Sequence, residues 1–518
     1  MRDARRMASI TVVGLGPGDP RLLTREAWDV LTGADEVYLR TVRHPTVSGL
    51  PASLRIHSFD AIYEQKADFA QVYETIAAQV VTLGRRPQGV IYAVPGHPRV
   101  GEATVNRILE LAEAEGLRVR SVAGLSFVEP ALDALGIDAL DGLQVADAID
   151  IAARHHPPLD PDRAVLLAQL HSRSLASDVK LTLMNQYPPE HTVKLVHAAG
   201  TADARVVTLP LAEMDRRDDP SAAPSLRSGL RLRAGFDHLT ALYVPPLPRK
   251  GGFSSFQDTI AHLRAPDGCP WDREQTHQSL RPYLLEEAHE VLEAIDADDM
   301  QALREELGDL LLQVVLQTQV ATDAEAFRMA DVVAGINEKI IRRHPHVFGG
   351  VYPEGSQRVA VAGVDDVKRN WEAIKAAERE GSDKPSRESI LDGVASGLPA
   401  LAQAEIYGAR AARVGFDWPD VSGVLDKVAE ELREIAGARD SEMREAEFGD
   451  LLFSLVNAAR WLEIDPESAL RAANARWSAR FREVERAARA QGKALGELSL
   501  DELERLWQAA KLALRSLP

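Results

Sequence analysis

The sequence predicts an α/β domain with a mainly parallel sheet, followed by an all-α half built from two related helical repeats. Three observations carry this. Apolar, β-branched segments alternate with helix-like ones as far as about Pro248. The strand signal then disappears from Phe253 onward, and five short blocks recur in the same order along the helical half.

The strand candidates, in order, are "SITVVGLG", "QGVIYAV", "RVRSVAG", "AVLLAQL", "TVKLVHA" and "LTALYVPP", with helical stretches such as "REAWDVLTGA" and "EATVNRILELAEAEG" between several of them. "PPLPRKGG" has the prolines, glycines and cations of a linker, and "AAEREGSDKPSRES" is a second polar break. The expected domains are 1–247, a linker 248–252, a first helical repeat 253–375, a linker 376–389 and a second repeat 390–518.

A chain of 518 residues is too long for one hydrophobic core. Acids exceed bases by 78 − 60 = 18, which argues against a nucleic-acid or anionic-membrane partner for the whole chain. Cys269 is the only cysteine, so no intrachain disulfide or cysteine metal cluster is expected. The basic N-terminus leads straight into a strand without a signal-peptide core, and no apolar run reaches membrane-spanning length. A cytoplasmic location is the expectation.

The repeats agree block by block. The first has Glu286-Glu287-x-x-Glu290, then "ELGDLL" with Glu306 and Asp309, then Asn337-x-Lys339, Arg343 and Trp371-x-x-x-Lys375. The second has Glu430-Glu431-x-x-Glu434, then "EFGDLL" with Glu447 and Asp450, then Asn474-x-Arg476, Arg480 and Trp507-x-x-x-Lys511. On a helical wheel Glu287 and Glu290 border an apolar face made by Leu284, Ala288, Val291, Leu292 and Ile295. The next helix is apolar almost all round and is expected inside a bundle; Glu306, Asp309, Gln313 and Gln317 are its one polar stripe.

A solvated acidic face is the ordinary meaning of a single Glu-rich helix. Duplicated acids striping an apolar helix mean something else, because a buried carboxylate is costly unless paired or metal-bound. Oxygen donors without imidazole or thiolate suit a hard cation, Mg2+ or Mn2+, which shares its shell with substrate phosphates. Glu286-x-x-His289 has di-iron spacing, but the repeat puts Arg433 at the matching place, so His289 is expected at the surface. Asn337, Lys339 and Arg343, with Asn474, Arg476 and Arg480, are candidate phosphate holders. Trp371 and Trp507 could stack on a base, with Lys375 and Lys511 nearby, and ordinary packing would use the same residues. "RRHPHVFGG" reads as a helix cap and turn rather than a metal site.

EExxE followed by ExGD, flanked by "GCPWD", "RRHPHVF", "GFDW" and "RFREVE", resembles the MazG nucleoside triphosphate pyrophosphohydrolases from about Phe253 to Lys511. The resemblance implies Mg2+-dependent cleavage between the α- and β-phosphates, and a homodimer whose helices complete the bundle. It implies metal ligands at Glu287, Glu290, Glu306 and Asp309 and again at Glu431, Glu434, Glu447 and Asp450, with Glu286 and Glu430 positioning water.

In the first half, "VVGLGPGDPRLLT", "YAVPGHPRVGEATV" and "VAGLSFVEPALDALG" are loops at strand ends. Alone, the glycines indicate a tight turn as readily as a cofactor site, and the spacing is not GxGxxG. Together the loops resemble the tetrapyrrole (corrin/porphyrin) methylases over roughly Ser9 to Pro246. This implies S-adenosylmethionine bound between two α/β lobes, with Gly14, Gly16, Pro17, Gly18, Asp19, Gly96, His97, Val100 and Ser126 as the cofactor-facing candidates. His97 stands where the biosynthetic methylases carry an Asp, and an imidazole meets a sulfonium differently.

The leading expectation is a nucleoside triphosphate pyrophosphohydrolase that clears non-standard nucleotides and carries a methylase-like domain. The alternatives are a methyltransferase with the helical half as its dimerisation platform, or a metabolite-sensing domain that regulates hydrolysis.

Overall fold

The first apolar run forms strand β1 (Ile10–Gly14), and its alternation decides how the N-terminal part is built. Ile10 and Val12 join one buried cluster, Val13 and Leu15 another. A strand buried on both faces needs cover on both, which is the parallel α/β arrangement. The computed structural model describes residues 10–66, 69–216, 236–350, 357–380 and 389–515. They divide into two compact units, Met1–Glu274 and Gln275–Pro518.

The first unit has strands β2 (Glu36–Leu39), β3 (Arg55–Ser58), β4 (Val90–Val94), β5 (Val119–Val122), β6 (Gln144–Asp147), β7 (Val165–Ala168), β8 (Thr192–His197), β9 (Arg205–Pro210) and β10 (Thr240–Val244). Its helices are α1 (Arg25–Thr32), α2 (Asp60–Gln65), α3 (Phe69–Gly84), α4 (Ala103–Ala114), α5 (Val128–Leu135), α6 (Ala148–Ala152), α7 (Arg173–Leu183), α8 (Phe253–Arg264) and α9 (Pro270–Glu274). One five-stranded sheet, ordered β3-β2-β4-β1-β5, is parallel throughout. Ile76 and Val80 of α3 and Ile108 of α4 pack on one face of it, Ala27 and Leu31 of α1 on the other.

The second sheet, ordered β6-β7-β10-β8-β9, departs from the expected parallel pattern. Only β6–β7 is parallel; β10 runs antiparallel to β7 and β8, and β8 to β9. The connection from β8 to β9 is too short for a crossover and has to return antiparallel. Strands β2, β3, β6 and β9 are not among the expected strand segments. β3 shows why: all four of its residues are exposed at the sheet edge.

The glycines of "PRKGG" are anchored. Asp162 Oδ1 accepts the N–H groups of Gly251 at 2.7 Å and Gly252 at 3.1 Å, where α8 begins. A Cβ on Gly252 would lie 2.5 Å from an Asp160 side-chain oxygen, so a larger residue there would have to push that carboxylate aside. Helices α8 and α9 accordingly group with the α/β unit.

The second unit contains α10 (Arg281–Asp296), α11 (Met300–Asp323), α12 (Met329–Arg343), α13 (Pro345–Phe348) and α14 (Val364–Glu380). The second repeat follows as α15 (Ala400–Arg413), α16 (Val421–Gly437), α17 (Ser441–Trp461), α18 (Pro466–Ala490) and α19 (Leu500–Arg515). Of the expected linker 376–389, α14 takes the first residues, and 381–388 lie outside the described residues. Asp299 and Asp440 cap α11 and α17 through their backbone N–H groups. Helix α10 packs on α11, and α16 on α17.

These pairs correct one expectation. Within the chain, the apolar circumference of α11 is not enclosed: Leu307 is 49% and Leu311 41% exposed. The polar stripe faces inward instead, for Gln313 on α11 and Ser454 and Asn457 on α17 are buried. Cover is partial: α10 packs on the acidic side of α11, and α16 and α15 pack on α17. No helix among the described residues is long and apolar enough to cross a membrane.

Candidate functional site

Residues Glu306 and Asp309 lie three apart on α11 and therefore share a face, opposite Glu287 on α10. The three present carboxylate oxygens within 4.8 Å of one another; Glu431, Glu447 and Asp450 do the same on α16 and α17. Glu290 and Glu434 stand outside these trios but still act on them. Burial and then the charges of Asp309, Glu290, Glu286 and Glu306 push the Glu287 carboxyl up. Burial and then Glu290, Asp309 and Glu305 do so for Glu306; burial and then Glu434, Glu431 and Asp450 for Glu447. Each trio is thus a site where negative charge is held against mutual repulsion.

Glu431 makes the point most sharply. It is only 3% exposed, and its Oε2 is buried with no hydrogen-bond partner among the described residues. All-oxygen donors, mutual repulsion and an orphaned carboxylate oxygen together fit a hard divalent cation.

The two trios differ in surroundings. Lys427 reaches Glu430 at 2.8 Å and Glu431 at 2.7 Å, holding the Glu430 carboxyl below its usual range. Tyr283 occupies the corresponding place in the first repeat, where Glu286 is exposed. His289 is exposed too, as expected. His344 caps the end of α12, and "PHVF" is the short α13, so the cap-and-turn expectation matches this segment.

The candidate phosphate and base residues are placed unevenly. Asn337 and Lys339 lie exposed on α12, Asn474 and Arg476 exposed on α18, and Lys511 is half-buried on α19. Arg343 is engaged by Glu378 at 2.7 Å rather than open to a ligand. Lys375 lies over the Trp371 ring, and Arg480 lies beside the Trp507 ring.

In the α/β unit a cavity of about 730 Å³ opens between the two sheets' loops. Pro17, Gly96, His97 and Val100 line it; Gly14, Gly16, Gly18, Asp19 and Ser126 do not. Those five have other work. A Cβ on Gly14 would sit 2.6 Å from Gly124 N and Gly96 O, so three strand-end loops touch there backbone to backbone. Gly16 and Gly96 exchange N–H···O bonds of 3.2 and 2.8 Å, both at positive φ. Gly18 packs against Thr201, Asp19 caps the turn through Arg21 N at 2.9 Å, and Ser126 bonds Glu129 at 2.6 Å. His97 Nδ1 accepts the Arg99 N–H at 3.0 Å, the turn-closing bond that an aspartate oxygen would accept.

The cavity also holds residues no motif signalled. Arg40 pairs with buried Glu102 and donates to Tyr63 Oη at 2.9 Å, and all three line the wall. His44 is buried with Nδ1 unpartnered among the described residues, and burial followed by the charge of His238 brings it down to about 4, so it is neutral near pH 7. The only sequence cue was position: Arg40 directly follows β2 and Glu102 directly precedes α4, at the strand ends where open α/β sheets place ligands.

Comparison with known proteins agrees with both halves. The MazG nucleotide pyrophosphohydrolase domain matches residues 275–348, starting where the second compact unit starts, and the tetrapyrrole (corrin/porphyrin) methylases match residues 9–215. The chain is 41% identical over 516 residues to the uncharacterized protein YabN of Bacillus subtilis, covering 97% of this chain and 98% of that protein. It is 45% identical over 259 residues to the nucleoside triphosphate pyrophosphohydrolase/pyrophosphatase MazG of Thermotoga maritima, covering 50% of this chain and 95% of that one. A uroporphyrin-III-C-methyltransferase structure from Thermus thermophilus matches at 24% identity over 46% of this chain and 91% of its own, with a TM-score of 0.33. With its duplicated carboxylate trios on helix pairs and its glycine-looped α/β unit, the chain belongs to the MazG nucleotide pyrophosphohydrolase family, in a form fused to an N-terminal tetrapyrrole methylase domain.

Proposed function

We propose that the helical half hydrolyses nucleoside triphosphates to the monophosphate and pyrophosphate, in a reaction that depends on Mg2+ or Mn2+. The observation that carries this is the pair of carboxylate trios, Glu287/Glu306/Asp309 and Glu431/Glu447/Asp450, each with carboxylate oxygens within 4.8 Å of one another. Glu290 and Glu434 would complete the donor sets. A bound divalent cation supplies charge neutralisation for the phosphates and a more acidic water. The chain's own residues do the rest. Glu286 and Glu430 are candidates to orient the attacking water and receive its proton, with Lys427 setting the direction of Glu430. A homodimer is part of the reading, because the exposed leucines of α11 need cover. For the methylase domain we propose S-adenosylmethionine as the ligand of the 730 Å³ cavity, supported by Pro17, Gly96, His97 and Val100 in its wall.

Pyrophosphate release from mixed nucleoside triphosphates, with Mg2+ and with chelator, tests the activity. Glu306→Gln plus Glu447→Gln in one chain is expected to lower kcat roughly 100-fold or more, as loss of a group that stabilises transition-state charge does. Unchanged release in that double variant would refute the assignment. Calorimetry with S-adenosylhomocysteine tests the cavity, and no heat from the intact chain would remove the cofactor proposal.

A further inference from the structure

Both guanidinium groups among the described residues of the cavity wall in the α/β unit are already paired. Arg40 and Glu102 form an ion pair whose side chains are 20% and 2% exposed. Arg40 Nε also donates to Tyr63 Oη at 2.9 Å, and its guanidinium carbon lies 5.7 Å from the Tyr73 ring centre. Thr104 Oγ1 donates to the second Glu102 oxygen at 3.0 Å. Burial pushes the Glu102 carboxyl up and Arg40 pulls against it; a guanidinium does not lose its proton, so the carboxylate stays as its counter-ion. Arg43 meets Glu64 at 3.3 Å, at an exposed part of the wall.

Acids outnumber these bases. Asp60, Glu64 and Glu102 stand against Arg40 and Arg43, three carboxylates to two guanidinium groups. Asp60 accepts Val42 N–H at 2.9 Å and the Ser58 hydroxyl at 2.5 Å, bonds that fix a carboxylate without cancelling its charge. Among the histidines of the wall, His44 is neutral near pH 7. Tyr63, Tyr73 and Phe127 add aromatic rings. A cavity of about 730 Å³ is of the size that encloses a drug-sized molecule, so little room remains beside a cofactor.

We propose that the ligand sharing this cavity with the cofactor is a small neutral or cationic molecule with an aromatic ring, and that polycarboxylate tetrapyrroles are excluded, because Arg40 and Arg43 are each matched by a carboxylate already. Only the presence of a cofactor rests on the S-adenosylmethionine reading above; the charge argument stands apart from it. A ligand carboxylate reaching Arg40 has to break a buried pair and leave Glu102 without its counter-ion, which costs more than the new pair returns. At Arg43 the existing pair is exposed and weak, but an arriving anion also meets Glu64 and Asp60. A cation instead meets the excess carboxylate and the faces of the tyrosines.

The test is a ligand-detected NMR titration of the full chain at pH 8, above the ordinary histidine range, with tryptamine and indole-3-propionate, which share a ring and differ in charge. Tryptamine is expected to bind about tenfold more tightly. Glu64→Gln, at a side chain 68% exposed, removes the excess acid without endangering the fold and should narrow that preference about threefold. Glu102→Gln leaves Arg40 without its counter-ion and should reverse the preference, with the melting temperature followed to show that the chain is folded; if it is not, Glu64→Gln decides. Val100→Trp fills the cavity from a partly exposed wall position and should abolish binding of both probes. Equal binding of the two probes, tighter binding of indole-3-propionate, no binding of either, tight binding of uroporphyrin III, or a preference that survives Val100→Trp would each overturn the proposal. Heat from S-adenosylhomocysteine alongside any of these leaves the cofactor reading standing. No such heat, with the tryptamine preference intact, removes the cofactor reading alone.

Discussion

Gly14 shows how much a single residue's context matters. Its place in a glycine loop suggested cofactor contact, whereas its neighbours are the backbones of Gly96 and Gly124. Neither can give way, since both are main chain. Gly14→Ala is therefore expected to destabilise the α/β unit by about 2–3 kcal/mol, measured by denaturant unfolding. Asp417 of "GFDW" is a comparable pin in the helical half. It accepts Arg460 Nη2 at 2.7 Å and Nη1 at 2.9 Å, and Trp461 Nε1 at 3.1 Å. These bonds hold its carboxyl below the usual range, with the Arg460 bonds contributing most. Asp417→Asn, which keeps the shape and removes the charge, should cost about 1–3 kcal/mol, read from thermal melts. His97 makes the converse case: expected to face a cofactor, it also closes its own turn, Nδ1 accepting the Arg99 N–H at 3.0 Å.

At the scale of elements, α10–α11 and α16–α17 are built around repulsion, and this has a pH signature. Glu287, Glu306 and Glu447 have carboxyls raised in the folded chain. Between the unfolded value near ~4.3 and the raised folded value, the folded chain binds more protons than the unfolded one. Stability without metal therefore falls as pH rises through that window and recovers as pH is lowered. His44, held neutral by burial, works in the opposite direction. The clean readout is thus the difference in Tm between Mg2+ and chelator at each pH. That difference should be larger at pH 7.5 than at pH 5, and should shrink at pH 7.5 in Glu447→Gln. An equal gain at both pH values would mean that cation binding does not relieve these carboxylates.

For the whole molecule, the exposed leucines and aromatics of the helical unit are the open account. Leu307 and Leu311 on α11, Leu432 on α16 and Phe448 on α17 face solvent in the single chain. Such a surface marks association. Sedimentation is expected to show a dimer, and Phe448→Glu, at a residue already 53% exposed, should shift it toward a folded monomer. A monomer in the unaltered protein would contradict the dimer proposal.

The alternation of strands and helices, the change to all-α at Phe253 and the duplicated acids could be read from the sequence because each is local. Period-two and helical patterns reflect burial within one element, and a repeat is visible by comparison alone. The mostly antiparallel second sheet, the edge strand β3 and the anchoring of Gly251 and Gly252 on Asp162 could not. They depend on which distant segments meet, and an exposed edge strand carries no apolar signature. The acids proposed as metal ligands could be picked out residue by residue from the duplicated motifs. Which carboxylates converge, which oxygen is orphaned on Glu431, and that Arg343 is taken by Glu378 were decided by tertiary structure, because each depends on which side chains of different helices meet.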